Sequence, residues 1–168
     1  MDLQVIDDCL PNYYFKRIQK TLLEDTNFPW YWQDGSNFPM EPDFFQFNHV
    51  FIDENLGLNS KMDLFNIMTS TLQVKIWRRI KANLNTRTTF KRFHGWHSDF
   101  PDSKGYGPGK TAILYVNTNN GYTRFKKGGK VKCVENRLAI FDSYLLHSGV
   151  TCTDQKRKVV VNFKKIHL

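Results

Sequence analysis

The sequence contains the stretch Phe93-His94-Gly95-Trp96-His97-Ser98-Asp99-Phe100, in which one residue separates a histidine from an aspartate. Because side chains alternate between the two faces of a β-strand, His97 and Asp99 share a face if this stretch is extended, and both can reach one metal ion. The spacing alone is weak, since five histidines and twelve aspartates among 168 residues produce a chance His-x-Asp in roughly one chain of three. A metal site therefore needs a third ligand elsewhere.

His147 is the candidate third ligand. It lies 50 positions after His97 and follows an apolar run at 138–141 that is typical of a strand. Two imidazoles and one carboxylate form a facial triad, which leaves adjacent coordination positions open on an octahedral iron(II) for a cosubstrate and O₂. The pattern predicts that His97, Asp99 and His147 bind iron.

Arg157 begins the last apolar alternation of the chain. If this segment is a strand, Arg157 shares a face with Val159, Val161 and Phe163, whereas Lys158 shares the opposite face with Val160 and Asn162. We expect the apolar face to point inward and Lys158 to point to solvent. A buried arginine needs an anion, so Arg157 is a candidate anion-binding residue. The alternative is that Arg157 is one more surface charge in a basic tail.

The distribution of apolar residues predicts helices followed by many short strands. A helix is expected from Asn12 to the Asp25-Thr26-Asn27 segment, and a second from Ser60 to before Arg78. The apolar positions of the two helices are Phe15, Ile18 and Leu22, then Phe65, Met68, Leu72 and Ile76. Strands are expected in the apolar or alternating segments 80–84, 112–116, 138–141 and 159–161, which turn-forming glycines and asparagines separate. This order favours an antiparallel sandwich or barrel with helical support.

Length and charge restrict the class of protein. A chain of 168 residues suits one domain, with helical support over about 1–78 and a β core over about 79–168. It has no apolar run of about 20 residues and an acidic amino terminus without a leader pattern, which predicts a protein that does not enter the membrane. Three unpaired cysteines favour the reducing cytoplasm, or the host cytoplasm if the source is viral. The net charge of +8 leaves nucleic acid open as a partner.

Segments 93–99, 110–125 and 136–163 resemble the iron(II)- and 2-oxoglutarate-dependent dioxygenases of the prolyl 4-hydroxylase-like group, including small members encoded by bacteriophages and marine microbes. The resemblance implies an α+β, mainly β fold whose core is a double-stranded β-helix, or jelly roll. It assigns His97, Asp99 and His147 as iron ligands and Arg157 as the residue that binds the distal carboxylate of 2-oxoglutarate. Tyr115 matches a tyrosine that joins this contact, although it could equally be a core aromatic. Thr123 matches a threonine that faces the site.

One position departs from the family pattern. Where related enzymes often have a tyrosine three residues before the first ligand, this chain has His94. His94 could contact Asp99 or a substrate, or it could be an ordinary surface histidine. Together with His97 it could also form a zinc site completed by Cys133 or Cys152, which is weaker because neither cysteine has a partner at zinc-knuckle spacing.

The resemblance implies a reaction and leaves the substrate open. 2-Oxoglutarate and O₂ would be converted to succinate and CO₂ while an unactivated C–H bond is hydroxylated, with ascorbate as a reductant in vitro. The favoured substrate is a protein side chain of the prolyl type or a small metabolite. The alternatives are nucleic acid, by oxidative demethylation or base hydroxylation, and a non-catalytic binding module on the same scaffold.

Overall fold

Two antiparallel sheets face each other in the structure, a computed structural model that describes residues 2–35, 45–53, 57–58, 61–74, 77–99 and 109–165. The described strands are β1 (Leu3–Ile6), β2 (Tyr31–Asp34), β3 (Phe45–Asp53), β4 (Gly57–Leu58), β5 (Trp77–Thr86), β6 (Lys110–Tyr115), β7 (Tyr122–Phe125), β8 (Lys130–Lys132), β9 (Arg137–Asp142), β10 (His147–Val150) and β11 (Arg157–Lys165). The large sheet has the order β1-β9-β6-β11-β5-β3-β2, with β4 paired to β3. The small sheet has the order β10-β7-β8.

Between β5 and β11 the chain crosses repeatedly from one sheet to the other. Strands β6, β9 and β11 lie in the large sheet, and β7, β8 and β10 lie in the small one. Isolated bridges pair Phe93 with Val150 and His97 with His147. Residues 93–97 therefore lie beside β10 as a fourth, strand-like edge of the small sheet. This arrangement is the double-stranded β-helix that the sequence predicts.

The helices cover the outer face of the large sheet. Helix α1 (Asn12–Gln19) continues into a π-helical turn at Lys20–Glu24, which the i→i+5 bond from the Asp25 N–H to the Lys20 carbonyl closes at 3.0 Å. The predicted apolar residues Phe15, Ile18 and Leu22 are buried. They pack in one cluster with Val159, Val161 and Phe163 of β11. The apolar alternation of β11 therefore serves the contact between the sheet and the helices.

The second predicted helix is shorter than expected. It consists of a 3₁₀ turn at Met62–Phe65 and helix α2 (Asn66–Thr71). Phe65 and Met68 are buried as predicted, while Ser60 and Ile76 lie outside the described residues. The region before residue 78 also contains β1 to β4, which extend the large sheet, so helices are only part of its structure.

Two observations bear on the compartment predictions. Cys9, Cys133 and Cys152 are free thiols. Among the described residues, no helix has both the length and the apolar character that crossing a membrane requires.

Asn136 joins the amino-terminal segment to the sheets. Its backbone φ is +58°, a left-handed conformation that asparagine tolerates better than most residues. The side chain accepts a hydrogen bond from the Leu10 N–H at 3.1 Å and donates one to the Leu10 carbonyl at 2.8 Å. Both bonds are buried, directly before α1 begins.

We predict that Asn136→Ala lowers the free energy of unfolding by about 1–3 kcal/mol, because it leaves two buried backbone groups of Leu10 without partners. Urea denaturation measures the change. Asn120→Ala is the matched control, since the Asn120 amide makes its bonds to Thr153 at an exposed position where water can replace them. Equal losses in the two variants would contradict this role of Asn136.

Candidate active site

The fold brings His97, Asp99 and His147 together between the two sheets. One potential ligand atom from each residue lies within 4.8 Å of the other two. The Nε2 atom of His147 is 3.6 Å from Oδ2 of Asp99, and the rings of the two histidines are 4.3 Å apart between centroids. The three residues are thus close enough to bind a single ion, as the sequence predicts.

Backbone pairing positions the triad. The His97 N–H donates to the His147 carbonyl at 3.1 Å, and the His147 N–H donates to the His97 carbonyl at 2.9 Å. The Asp99 N–H donates to the carbonyl of Ser143, the residue directly after β9, at 3.0 Å. Both sides of the triad are therefore fixed by main-chain hydrogen bonds rather than by side-chain packing alone.

Neighbouring side chains hold the Asp99 carboxylate in its ionised form. Burial by itself raises the pKa of this carboxyl, but the nearby ammonium of Lys164, followed by the two histidines, keeps the pKa well below its ordinary value. Lys164 Nζ lies 2.8 Å from Oδ1, and the Thr111 hydroxyl donates to Oδ2 at 2.8 Å. Asp99 is therefore an anionic ligand with a fixed orientation.

Both imidazoles have a nitrogen lone pair to offer. His147 Nδ1 is 2.8 Å from the Leu145 carbonyl, which can only accept, so Nδ1 is the donor and Nε2, on the Asp99 side, is the nitrogen available to a metal. Burial, followed by the charge of His147, lowers the pKa of His97 to about 4. Nδ1 of His97 is buried and has no hydrogen-bond partner among the described residues.

These features fit a divalent transition metal. Two neutral imidazoles, one ionised carboxylate and an unsatisfied ring nitrogen form the donor set of a facial-triad iron(II) site. Within the described part of the chain, this triad is the cluster of metal-binding side chains that the geometry supports, and it contains no cysteine. The zinc alternative with Cys133 or Cys152 finds no support, because Cys133 packs in the apolar cluster between the sheets and the Cys152 thiol donates to the Gln155 carbonyl.

The triad opens into a cavity of about 550 Å³ between the sheets. The large sheet contributes mostly polar side chains to its wall, from β3, β5 and β11. These residues are Gln46, Arg79, Lys81, Asn83, Asn85, Lys158, Val160, Asn162 and Lys164. The cavity therefore favours a polar ligand.

Arg157 does not point into this cavity, and the predicted orientation of β11 is wrong. The arginine is exposed on the helix side of the sheet, where its guanidinium donates to the carbonyl of Leu23. The cavity instead receives Lys158, which is only 2% exposed. The predicted alternation of side chains along β11 is confirmed. Its apolar face packs against the helices, and its polar face lines the cavity.

Lys158 has the geometry of an anion-binding residue. Its ammonium donates to the Val150 carbonyl at 2.9 Å and lies 3.4 Å from the Tyr122 carbonyl, which leaves a third N–H for a ligand. Lys158 Nζ and His94 Nδ1 both lie 3.6 Å from the position that a Cβ on Gly149 would take. Lys158 thus reaches the strand that carries His147, two residues beyond that ligand.

Tyr115 and Thr123 occupy different layers of the site. The Tyr115 hydroxyl is fully buried and donates to Thr123 Oγ1 at 2.8 Å, and burial raises the pKa of Tyr115 further above its ordinary value. Thr123 lines the cavity, whereas Tyr115 packs behind it in the apolar cluster between the sheets. Because Thr123 accepts from Tyr115, its own hydroxyl hydrogen can be donated into the cavity.

His94 is a buried residue of the cavity wall and not a surface histidine. Burial, and then the charge of Lys158, lowers its pKa to about 3. His94 is therefore a neutral imidazole near Lys158, on the same side of the cavity as Thr123 and Gly149.

Solved structures with this fold include oxygenases. No protein-family model and no curated protein matches the sequence. A viral collagen prolyl hydroxylase from Paramecium bursaria Chlorella virus-1, solved with 2-oxoglutarate, is similar with a TM-score of 0.64 and 12% identity, over 100% of this chain and 97% of that one. A 2-oxoglutarate and iron(II) oxygenase family protein from Burkholderia pseudomallei gives a TM-score of 0.69 and 10% identity, over 98% and 85%.

A third similar structure is a prolyl hydroxylase from Trichoplax adhaerens in complex with a peptide of hypoxia inducible factor, with a TM-score of 0.63 and 10% identity, over 98% of this chain and 83% of that chain. The resemblance identified in the sequence is confirmed at the level of the fold.

We predict that His147→Ala and Asp99→Ala each weaken the binding of nickel(II), a redox-stable probe, by at least about 100-fold, because each removes a direct ligand. Isothermal titration calorimetry measures this affinity. His94→Gln is the matched control, since it removes another imidazole from the same cavity wall. Loss of nickel binding in His94→Gln, with binding kept in the other two variants, would place the metal elsewhere.

Proposed function

We propose that this protein is an iron(II)- and 2-oxoglutarate-dependent dioxygenase that hydroxylates an unactivated C–H bond. The observation that carries the proposal is a His-Asp-His triad, with His147 buried and His97 and Asp99 partly buried, that shares one polar cavity with a buried lysine. Iron(II) at this site would supply the redox chemistry by which O₂ and 2-oxoglutarate yield CO₂, succinate and a hydroxylated product. The fold of similar oxygenases supports the same reaction class.

The protein's own residues have separable tasks. His97, Asp99 and His147 would hold the metal on one side, and Thr111 and Lys164 orient the Asp99 carboxylate. Lys158 would bind the distal carboxylate of 2-oxoglutarate through its remaining N–H. Thr123 would donate its hydroxyl hydrogen to the same carboxylate, because Tyr115 already occupies its acceptor side.

Two classes of substrate remain compatible with the proposed reaction. A protein side chain of the prolyl type or a small metabolite are both compatible with the cavity, and the prolyl hydroxylases among the similar structures support the first. A succinate-formation assay with iron(II) and ascorbate, against peptides, amino acids and nucleotides, separates these classes. Absence of iron-dependent succinate formation with every substrate and without substrate would contradict the proposed reaction.

We predict that Lys158→Met raises the KM for 2-oxoglutarate at least about tenfold, whereas Arg157→Gln leaves it within about twofold. The first removes a cation from the cavity, where a charged hydrogen bond contributes about 1.5–3 kcal/mol. The second removes the same charge from the neighbouring position on the outer face. The KM is measured by succinate formation. A tenfold effect of Arg157→Gln with none from Lys158→Met would restore the orientation predicted from the sequence.

Gly121 offers a second test of the same subsite. A Cβ on this residue would lie 2.8 Å from Oδ1 of Asn119, 2.9 Å from the Val150 carbonyl oxygen, which accepts from Lys158, and 3.2 Å from Cδ of Lys158. Gly121→Ala must therefore displace the Asn119 side chain and also the acceptor of the lysine. We predict a several-fold rise in the KM for 2-oxoglutarate while nickel affinity stays unchanged, and an unchanged KM would contradict the role of Lys158.

A further inference from the structure

Three cations form a second positive region in the cavity, which we call the basic cluster. Arg79 and Lys81 project from β5, and Lys164 projects from β11. The pairing of these strands places Lys164 opposite Arg79 and Lys81 opposite Asn162. The three cations therefore lie on one continuous patch of the large sheet.

The basic cluster is distant from the proposed 2-oxoglutarate carboxylate site. Lys158 and Lys164 are six residues apart on one strand, which corresponds to about 20 Å at roughly 3.3 Å per residue. Lys164 contacts Asp99 directly, so the cluster adjoins the metal ligands at the end of the cavity away from Lys158. The 2-oxoglutarate carboxylate that Lys158 binds is therefore not the partner of the basic cluster.

The cluster has more positive charge than the described cavity can neutralise. Asp99 is the one acidic residue among those that line the cavity, against the three cations of the cluster and Lys158. The surplus is therefore three positive charges, and an added iron(II) dication and 2-oxoglutarate dianion would leave it unchanged. Arg79, Lys81 and Lys164 are each partly buried, and uncompensated charge that is partly withdrawn from water is unfavourable, so the surplus indicates a missing anion.

The surroundings of two members of the cluster, Arg79 and Lys81, are consistent with a missing anion. Among the described residues, Nε of Arg79 is buried and has no hydrogen-bond partner. Lys81 donates to a neutral amide, Gln33 Oε1, at 2.9 Å. Burial, and then the charges of Arg79 and Lys164, lowers the pKa of Lys81 to about 8.

Unsatisfied amides line the same sheet. Asn83 Oδ1 and Asn162 Oδ1, near the cluster, and Asn85 Nδ2, opposite Lys158, are buried without hydrogen-bond partners among the described residues. Asn83 and Asn85 are more than nine-tenths buried and line the cavity. Because buried polar atoms are normally paired, these acceptors and donors indicate a ligand with hydrogen-bonding groups of its own. A cavity of 550 Å³ is in the range of small-molecule sites.

We propose that the basic cluster binds an oxyanion, a carboxylate or a phosphate, of a small polar substrate beside the metal site, and that Asn83 and Asn162 contact the rest of that molecule. This inference rests on the proposed function and narrows it. An uncharged prolyl side chain would leave the surplus positive charge, Nε of Arg79 and the buried amides uncompensated. A small acidic metabolite supplies the missing charge.

The test is calorimetric titration of inorganic phosphate and of acetate into protein loaded with nickel(II) and 2-oxoglutarate. We expect Arg79→Gln and Lys81→Gln to weaken the binding of the preferred anion at least tenfold, and Lys81→Arg to restore it to within threefold. The exposed Lys132→Gln should change it less than twofold. The relative affinities of phosphate and acetate identify the oxyanion, and circular dichroism confirms that each variant is folded.

Several outcomes would overturn the inference. These are no anion binding by the wild-type protein, equal binding by all variants, or loss in Lys158→Met with Arg79→Gln unaffected. Tighter binding of a DNA or RNA oligonucleotide than of a mononucleotide, lost in the same variants, would assign the cluster to nucleic acid instead. If nickel or 2-oxoglutarate does not bind, the proposed function fails, and the titration of metal-free protein still decides whether the cluster binds anions.

Discussion

The pair of main-chain hydrogen bonds between His97 and His147 determines the site. These bonds, at 3.1 and 2.9 Å, join two segments 50 residues apart and place both imidazoles side by side. Asp99 follows two residues after His97 and is held by its own bond to Ser143. A metal site built this way needs little adjustment by side chains, because the strand pairing that forms the small sheet also brings the ligands together.

The second organising feature is the contrast between the two faces of the large sheet. The outer face of β5 and β11 is apolar, with Ile80, Ala82 and Leu84 beside Val159, Val161 and Phe163, and it packs against the helices. The inner face alternates with it and carries amides and cations toward the cavity. The face on which a residue of β5 or β11 lies therefore decides whether its side chain packs against the helices or lines the cavity.

The sequence was sufficient for the triad and for the fold class. His-x-Asp followed at a distance by a histidine after an apolar run has a direct chemical meaning, and short strands separated by turn residues indicate an antiparallel sandwich. Arg157 was placed on the wrong side because alternation shows which residues share a face and not which face lines the cavity. The helix contacts that decide this come from residues 12–24 and 62–71, far away in the chain.

A clue to the correct face was nevertheless present. Asn83 and Asn85 alternate with apolar residues in β5, as Lys158, Asn162 and Lys164 do in β11. Two neighbouring strands with the same polar periodicity indicate one shared polar face that contacts water. In a closed sandwich, such a face is the wall of a cavity. The π-helical turn after α1 and the four strands before residue 78 had no comparable signal, since they depend on packing between distant segments.

The proposed function requires that the triad and Lys158 bind iron(II) and 2-oxoglutarate as one unit. Anaerobic visible absorption spectroscopy tests it directly, because a 2-oxo acid that chelates iron(II) produces a metal-to-ligand charge-transfer band. One equivalent of 2-oxoglutarate should produce this band in the iron-loaded wild-type protein, and His147→Ala should not develop it. The absence of a band in the wild-type protein at saturating iron(II) and 2-oxoglutarate would contradict this mode of binding.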